Sequence, residues 1–489
     1  DAAVFVGILL IVFHPNFPLD PHHYNYFLGP ANDQLNGKPM LYETTHLYGF
    51  LDIYALAFVF RYLLPLHYPA AALLITVFFA AFFAGAYWFM RSWFGSRRLA
   101  AVGAGILIVI LYLFQTSPTR SALFFPSMSP FRYGWYLPVL FLIFSFGRRR
   151  SPWLREAAIF VAVLSVLWTF DFGAYLAAAT FAALWCVETR DGAQPWRQVV
   201  ALAGKFLLYG LGIFAVITAL NAFVYGSLPN WFLAVRDASH FGAGISMAPL
   251  PTFGIFEVYL FAYLLIGLVL WSRYRAGQPL DLPLVFLVIY GAFSVLYYIG
   301  ESSWQIVYAA AGPFVFVLLY VFQHRDEVLP SQWLRSLFTG LTYGLITFAF
   351  VLFTFKFPVE MSVRNYGALR QSFWGFGAGE LSFADEYADA QRLKAMFPRL
   401  ARLALISHVD TPVLVYAGKT NFFDTHYLFG NVLFKPQMRA FVEQVQREKP
   451  PVLFVGRRRD DQIEFFLAGV GDQYERVAEL RTLDVYRRR

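Results

Sequence analysis

Residues 69–90 read PAAALLITVFFAAFFAGAYWFM, 22 positions without one charged side chain. About 20 apolar residues in helical form cross the hydrocarbon core of a bilayer, so this stretch reads as a membrane helix. What decides the fold is how often it recurs. Comparable runs lie near 1–14, 48–66, 99–117, 134–147, 157–170, 172–187, 199–225, 255–271, 283–299, 306–323 and 337–356. The whole chain agrees: of its 489 residues 58% are hydrophobic, 20% aromatic and only 14% charged, with a mean hydropathy of +0.52. Soluble domains carry roughly 25% charged residues. A soluble enzyme, a disordered chain and a disulfide scaffold are thereby excluded, and the expectation is an α-helical polytopic membrane protein of about 11 to 13 transmembrane helices.

The single cysteine, Cys186, rules out an intrachain disulfide and any cysteine-rich metal centre. The formal charge of +8 is read as arginine in cytoplasmic loops and not as a nucleic-acid surface. The first apolar run, AAVFVGILLIVF, has neither a starting Met nor a charged segment ahead of it. It is read as the first membrane helix with upstream residues missing, and not as a cleavable signal peptide.

The connections sort by charge. Segments 91–98, 147–156, 188–197, 272–281 and 324–335 are rich in arginine, whereas 14–47, 118–133, 226–254 and 300–305 carry only Lys38, Arg120, Arg132 and Arg236. Positive charge marks the cytoplasmic side, so the second set is expected to face outward, and the C-terminal part with it. Arg61 sits inside the run 48–66. A charge is unfavourable in lipid, so either that run lies along the interface or the loop 91–98 departs from the charge rule.

At residue 357 the composition changes. Residues 1–356 are expected to form the membrane domain and 357–489 an extracytoplasmic α/β domain. Strands are expected at 411–418, 450–456 and 479–487, and helices near 385–404, 436–448 and 460–468. Some 130 residues are enough for a separate core.

Chemistry concentrates in the first outward loop, LDPHHYNYFLGPANDQLNGKPMLYETTHLYG (19–49), which holds Asp20, His22, His23, Asp33, Glu43 and His46. A carboxylate at a membrane surface can take a proton from a hydroxyl. A phosphate leaving group needs cations but no acid. Arg120, Arg132, Arg236, Lys356 and Arg364 are the outward cations. The competing reading of Asp20-Pro21 is a simple chain turn. Asp171, in FDFG, reads either as a functional acid at membrane depth or as a helix cap or tight turn, with the second reading favoured. His240, in VRDASHFGAG, is either a substrate contact or a solvated loop residue. His22, His23 and Asp20 are metal-ligating types, which leaves a divalent metal open as a cofactor. On an extended segment, though, neighbouring histidines point to opposite faces.

The arrangement resembles the GT-C superfamily of integral-membrane glycosyltransferases, whose bacterial members place an acidic residue in the first outward loop. The matching stretch is LDPHHYNYFLGPANDQLNGKPMLYETTHLYG; LWTFDFGAYLA (167–177), SPFRYGWYLP (129–138) and the YERV…VYRRR ending add weaker echoes. The resemblance implies a polyprenyl-phosphate sugar as donor, a lipid, glycan or protein as acceptor, and a multi-pass location in a bacterial inner membrane. It places Asp20 as the catalytic base and Glu43 as the second acidic residue. His22, His23, Arg132, Arg236, His240 and Arg364 become candidates for contacting substrate. This chain departs from the family pattern in having Pro21 where better-known members carry a second acidic residue. A transporter or lipid flippase, and a non-catalytic subunit of a membrane complex, are the alternatives.

Overall fold

The computed structural model describes residues 1–13, 21–42, 44, 48–117, 123, 126–191, 195–233, 252–300, 304–362, 383–424 and 435–489. In chain order the helices are α1 (Ala2–Val12), α2 (Pro21–Leu35), α3 (Leu51–Tyr62), α4 (Tyr68–Phe94), α5 (Arg97–Leu111), the single turn α6 (Pro130–Tyr133), α7 (Tyr136–Arg149), α8 (Pro152–Trp168), α9 (Phe170–Asp191) and α10 (Pro195–Tyr225). They continue with α11 (Ile255–Arg275), α12 (Leu282–Gly300), α13 (Trp304–Gln323), α14 (Gln332–Ser362), α15 (Ala384–Met396), α16 (Asp410–Ala417), α17 (Lys435–Glu448) and α18 (Asp461–Val470). The strands are β1 (Arg402–Ile406), β2 (Thr420–Asn421), β3 (Val452–Gly456), β4 (Tyr474–Glu479) and β5 (Leu483–Arg488).

The chain divides into two compact units that do not follow its order. The first comprises 1–16, 74–216 and 238–366; the second comprises 17–73, 217–237 and 367–489. The segment that leads from α1 into α4 therefore clusters with the C-terminal part.

In the first unit, each apolar run read as a helix is helical. Among the described residues of the whole chain, seven helices are long and apolar enough to cross a membrane: Tyr68–Phe94, Arg97–Gln115, Phe170–Thr189, Trp196–Tyr225, Ile255–Arg275, Leu282–Ile299 and Gln332–Ser362. Ala2–Val12 and Ala310–Gln323 are shorter apolar helices. This is a multi-pass membrane architecture. Between helices in lipid the hydrophobic effect is weak, so close backbone approach and polar contacts hold the bundle. A Cβ at Gly291 would lie 2.2 Å from the Tyr263 ring, which is how α11 and α12 come together. Trp93 stacks on Tyr320 with ring centres 4.1 Å apart. Asp281 ties the pair, accepting from Trp93 Nε1 at 3.2 Å and Tyr320 Oη at 2.9 Å.

The second unit contains a five-stranded sheet in the order β2-β1-β3-β5-β4. β2, β1 and β3 run parallel, and β5 and β4 antiparallel. Its core includes Ile406, Phe423, Met438, Val445, Val455 and Phe466. The expected strand at 450–456 and the helices at 436–448 and 460–468 match β3, α17 and α18.

Three expectations are corrected. TPVLVYAG is not a strand: 410–417 is the helix α16, buried along its whole length. A short apolar run buried on every side has no period that tells helix from strand. Gly418, at φ +60°, ends it in the left-handed conformation that glycine adopts without strain. The helix expected over 385–404 stops at Met396, and RLALI (402–406) is the central parallel strand. ELRTLDVYR (479–487) is not one strand: it takes in the last residue of β4, the hairpin turn and β5 as far as Arg487. The carboxylate of buried Asp389 turns it, accepting from the backbone N–H groups of Arg481 at 2.9 Å and Thr482 at 2.7 Å.

Candidate functional site

The loop expected to be extended and polar contains the fifteen-residue helix α2. Pro21 suits a first helical position, where its fixed φ fits and its missing N–H is not needed. Gly37, at φ +88°, closes the other end, where Lys38 N–H donates to Asp33 O at 2.9 Å. The composition PHHYNYFLGPANDQL does not favour an isolated helix, and Pro30 interrupts its hydrogen-bond ladder. Docking holds it instead. Tyr24, Asn25, Phe27, Leu28, Asn32 and Asp33 are all buried. Asn32 Nδ2 donates to Lys419 O at 2.8 Å, and Lys38 Nζ to Phe423 O at 2.9 Å, on the stretch through β2. Tyr68 donates to Asn25 Oδ1 at 2.5 Å and lies 4.5 Å, centre to centre, from the Phe383 ring.

Beyond α2 the chain makes a pinned turn. Met40 bridges Thr44, Leu41 N–H donates to Thr44 O at 2.7 Å, and Asn230 N–H donates to Leu41 O at 2.6 Å. Thr44 Oγ1 donates to the Asp33 carboxylate. Asp33 is fully buried, and its Oδ1 has no hydrogen-bond partner among the described residues. Burial pushes its carboxyl up to about 6, against the opposing pull of Lys38, Thr44 and Arg402, while Asp424 adds to the rise. Among the described residues of this loop, Asp33 is the carboxyl whose proton affinity is altered. The sequence shows it only as one of several acids.

Of the residues expected at the site, Asp20, Glu43, Arg236, His240 and Arg364 lie outside the described residues, as do Arg120, His46 and the side chain of His22. His23 is half-buried on α2. The segment 21–35 is helical and not extended. Among the described residues no group of three or more His, Cys, Asp or Glu side chains is placed to hold a metal ion.

Arg132 is described, in the first unit. Ser129 and Pro130 start the turn α6, the Ser129 hydroxyl accepting from Phe131 N–H at 3.3 Å. Arg132 is 2% exposed. Its guanidinium pairs with the Asp171 carboxylate, donates to Tyr297 Oη at 2.8 Å and to Ser127 O at 3.4 Å, and faces the Phe172 and Tyr297 rings at 5.3 and 5.0 Å. Asp171, in the first turn of α9, also accepts from Phe172 N–H at 2.7 Å while it neutralises a buried arginine. A phosphate reaching Arg132 shares it with Asp171. Nothing in the sequence links residues 39 apart except that both are charges in apolar surroundings. Lys356 donates to Thr116 O at 2.8 Å, and Thr116 Oγ1 to the buried Glu360 carboxylate at 2.9 Å.

No protein-family model matches the chain, and no curated protein matches it in sequence.

Proposed function

We propose that this chain is a membrane glycosyltransferase. It moves a sugar from a polyprenyl-phosphate donor to an acceptor hydroxyl on the outer face of a bacterial inner membrane. In this reading about 11 to 13 helices cross the bilayer and the C-terminal α/β part is extracytoplasmic. The observation that carries it is the state of the acid-rich loop. A surface loop of no consequence would not bury Asn25, Asn32, Asp33 and Lys38 or hold its turn at Met40–Thr44 from three directions. That scaffold begins at Pro21, one residue after Asp20, and its turn ends at Thr44, one residue after Glu43.

Asp20 takes the proton from the acceptor hydroxyl as the oxygen attacks the anomeric carbon. The sugar–phosphate C–O bond breaks in the same displacement, the configuration inverts, and the lipid leaves as polyprenyl phosphate. Glu43 assists or shares the base role. Arg236 and Arg364 offer charge to the departing phosphate, and His22, His23 and His240 offer hydrogen bonds to sugar or acceptor. The donor tail lies against apolar helices.

The test is sugar transfer in membranes holding wild type or Asp20→Asn, over a panel of polyprenyl-phosphate sugars. Removing a general base lowers the rate about 10²–10⁴-fold. Transfer unaffected by Asp20→Asn moves the base to Glu43. Transfer by neither protein on any donor sinks the reading and leaves transport, which the Arg132–Asp171 pair among apolar helices would also suit.

A further inference from the structure

The arginine-rich ends of α7 and α8 form more than a topological signal. A cavity of about 590 Å³ opens where these ends meet α9 and α10. Its inner wall is apolar and buried: Phe146, Val187 and Leu202. Its polar lining is Arg150, Arg155, Glu188, Gln198 and Lys205. Two carboxylates hold two of the cations in place. Arg155 pairs with Glu156 at 2.8 Å and Glu188 at 3.0 Å; Lys205 pairs with Glu156, which also accepts from Tyr209 Oη at 3.1 Å. That network is neutral. Arg148, Arg149 and Arg150 are exposed beside it and have no acidic partner among the described residues, so the mouth carries net positive charge. Ser151 does not cap α8 with its side chain, which leaves that helix start facing the same region.

Charge on the end of α7 is expected from the helix dipole alone. The dipole does not explain a cavity whose cations are braced by carboxylates over an apolar floor. The cavity is also far larger than a phosphate ion requires. Farther along α10, Leu207, Leu208 and Leu211 are exposed apolar residues. A ligand that fits is anionic at one end and apolar at the other. We infer that this cleft binds the phosphodiester headgroup of an anionic membrane phospholipid, with its acyl chain along α10. The inference rests on the membrane architecture and is independent of the transferase reading.

The experiment is native mass spectrometry of the full chain, stripped of lipid in detergent and exposed to phosphatidylglycerol, phosphatidylcholine, polyprenyl phosphate or inorganic phosphate. Wild type is expected to retain phosphatidylglycerol over phosphatidylcholine, with a preference that shrinks as salt rises. Arg149→Gln with Arg150→Gln, both exposed, is expected to weaken phosphatidylglycerol retention about 30-fold. Phosphatidylcholine retention and thermal unfolding should not move. Equal retention of the two phospholipids by wild type overturns the proposal, as does a phosphatidylglycerol affinity unchanged by the double substitution. Inorganic phosphate or polyprenyl phosphate bound more tightly than phosphatidylglycerol overturns it too, by giving the cleft to a different anion.

Discussion

Arg132 and Asp33, one in each unit, are buried in opposite ways. In the helical unit Arg132 is enclosed together with its counter-ion: Asp171 contacts the guanidinium directly, and Tyr297 and Ser127 take further N–H groups. In the loop-and-sheet unit Asp33 is enclosed without a direct ion pair among the described residues. Lys38, whose charge pulls on it, spends its hydrogen bond on Phe423 O, and a hydroxyl is the donor that reaches the carboxylate. A paired buried charge is a structural fastener. A buried carboxyl with no ion pair keeps its proton to a higher pH, and the difference separates a group that holds the fold from one whose charge can change.

The sharpest test of this contrast is Asp171→Ala. It leaves Arg132 buried and uncompensated, which costs about 3–5 kcal/mol. Denaturant titration in detergent should show this, and Arg132→Met with Asp171→Leu should recover most of it. A small effect of Asp171→Ala alone would mean that Arg132 is solvated, and the contrast would fail.

Asp33 gives the next largest effect, with a sign that depends on pH. Its carboxyl titrates at about 6 in the folded chain, against about 3.9 in an unfolded one. Between those values the folded state holds the extra proton, so stability falls as pH rises from about 4 to about 6. The loss is complete above that window and amounts to at most about 3 kcal/mol. Asp33→Asn keeps an acceptor for Thr44 and should flatten that slope, raising stability at neutral pH and leaving it nearly unchanged near pH 4. A slope that survives the substitution would assign the titration to another group.

Gly418→Ala is the smallest expected change. It forces a Cβ into φ +60° in otherwise open space, and should destabilise the sheet unit by about 1 kcal/mol without touching the helical one. A shift confined to the helical unit would contradict the division.

The membrane helices were legible because length and hydropathy specify them locally; in lipid a helix satisfies its own backbone wherever the rest of the chain goes. α2 was not legible. Its residues NYFLGPANDQLN look like a loop, and the partners that make it a helix, Lys419 and Phe423, are 387 and 385 residues away from Asn32 and Lys38. The same holds for α16, where burial on every side erased the periodic signal. At the candidate site the sequence picked out the loop and Arg132. It gave no hint that Asp171 is bound to that arginine, or that Asp33 is sealed from water.

The docking of α2 on the β2 region also sets an order of events during synthesis. At about 5–20 residues per second, roughly 20 to 80 s pass between the emergence of Lys38 and that of Phe423. Through that interval the segment after α1 is already synthesised without the surface it will rest on. Its polar face must stay hydrated or guarded by a chaperone until the sheet arrives, so chains stalled before residue 419 would carry a finished helical bundle and an unfinished loop.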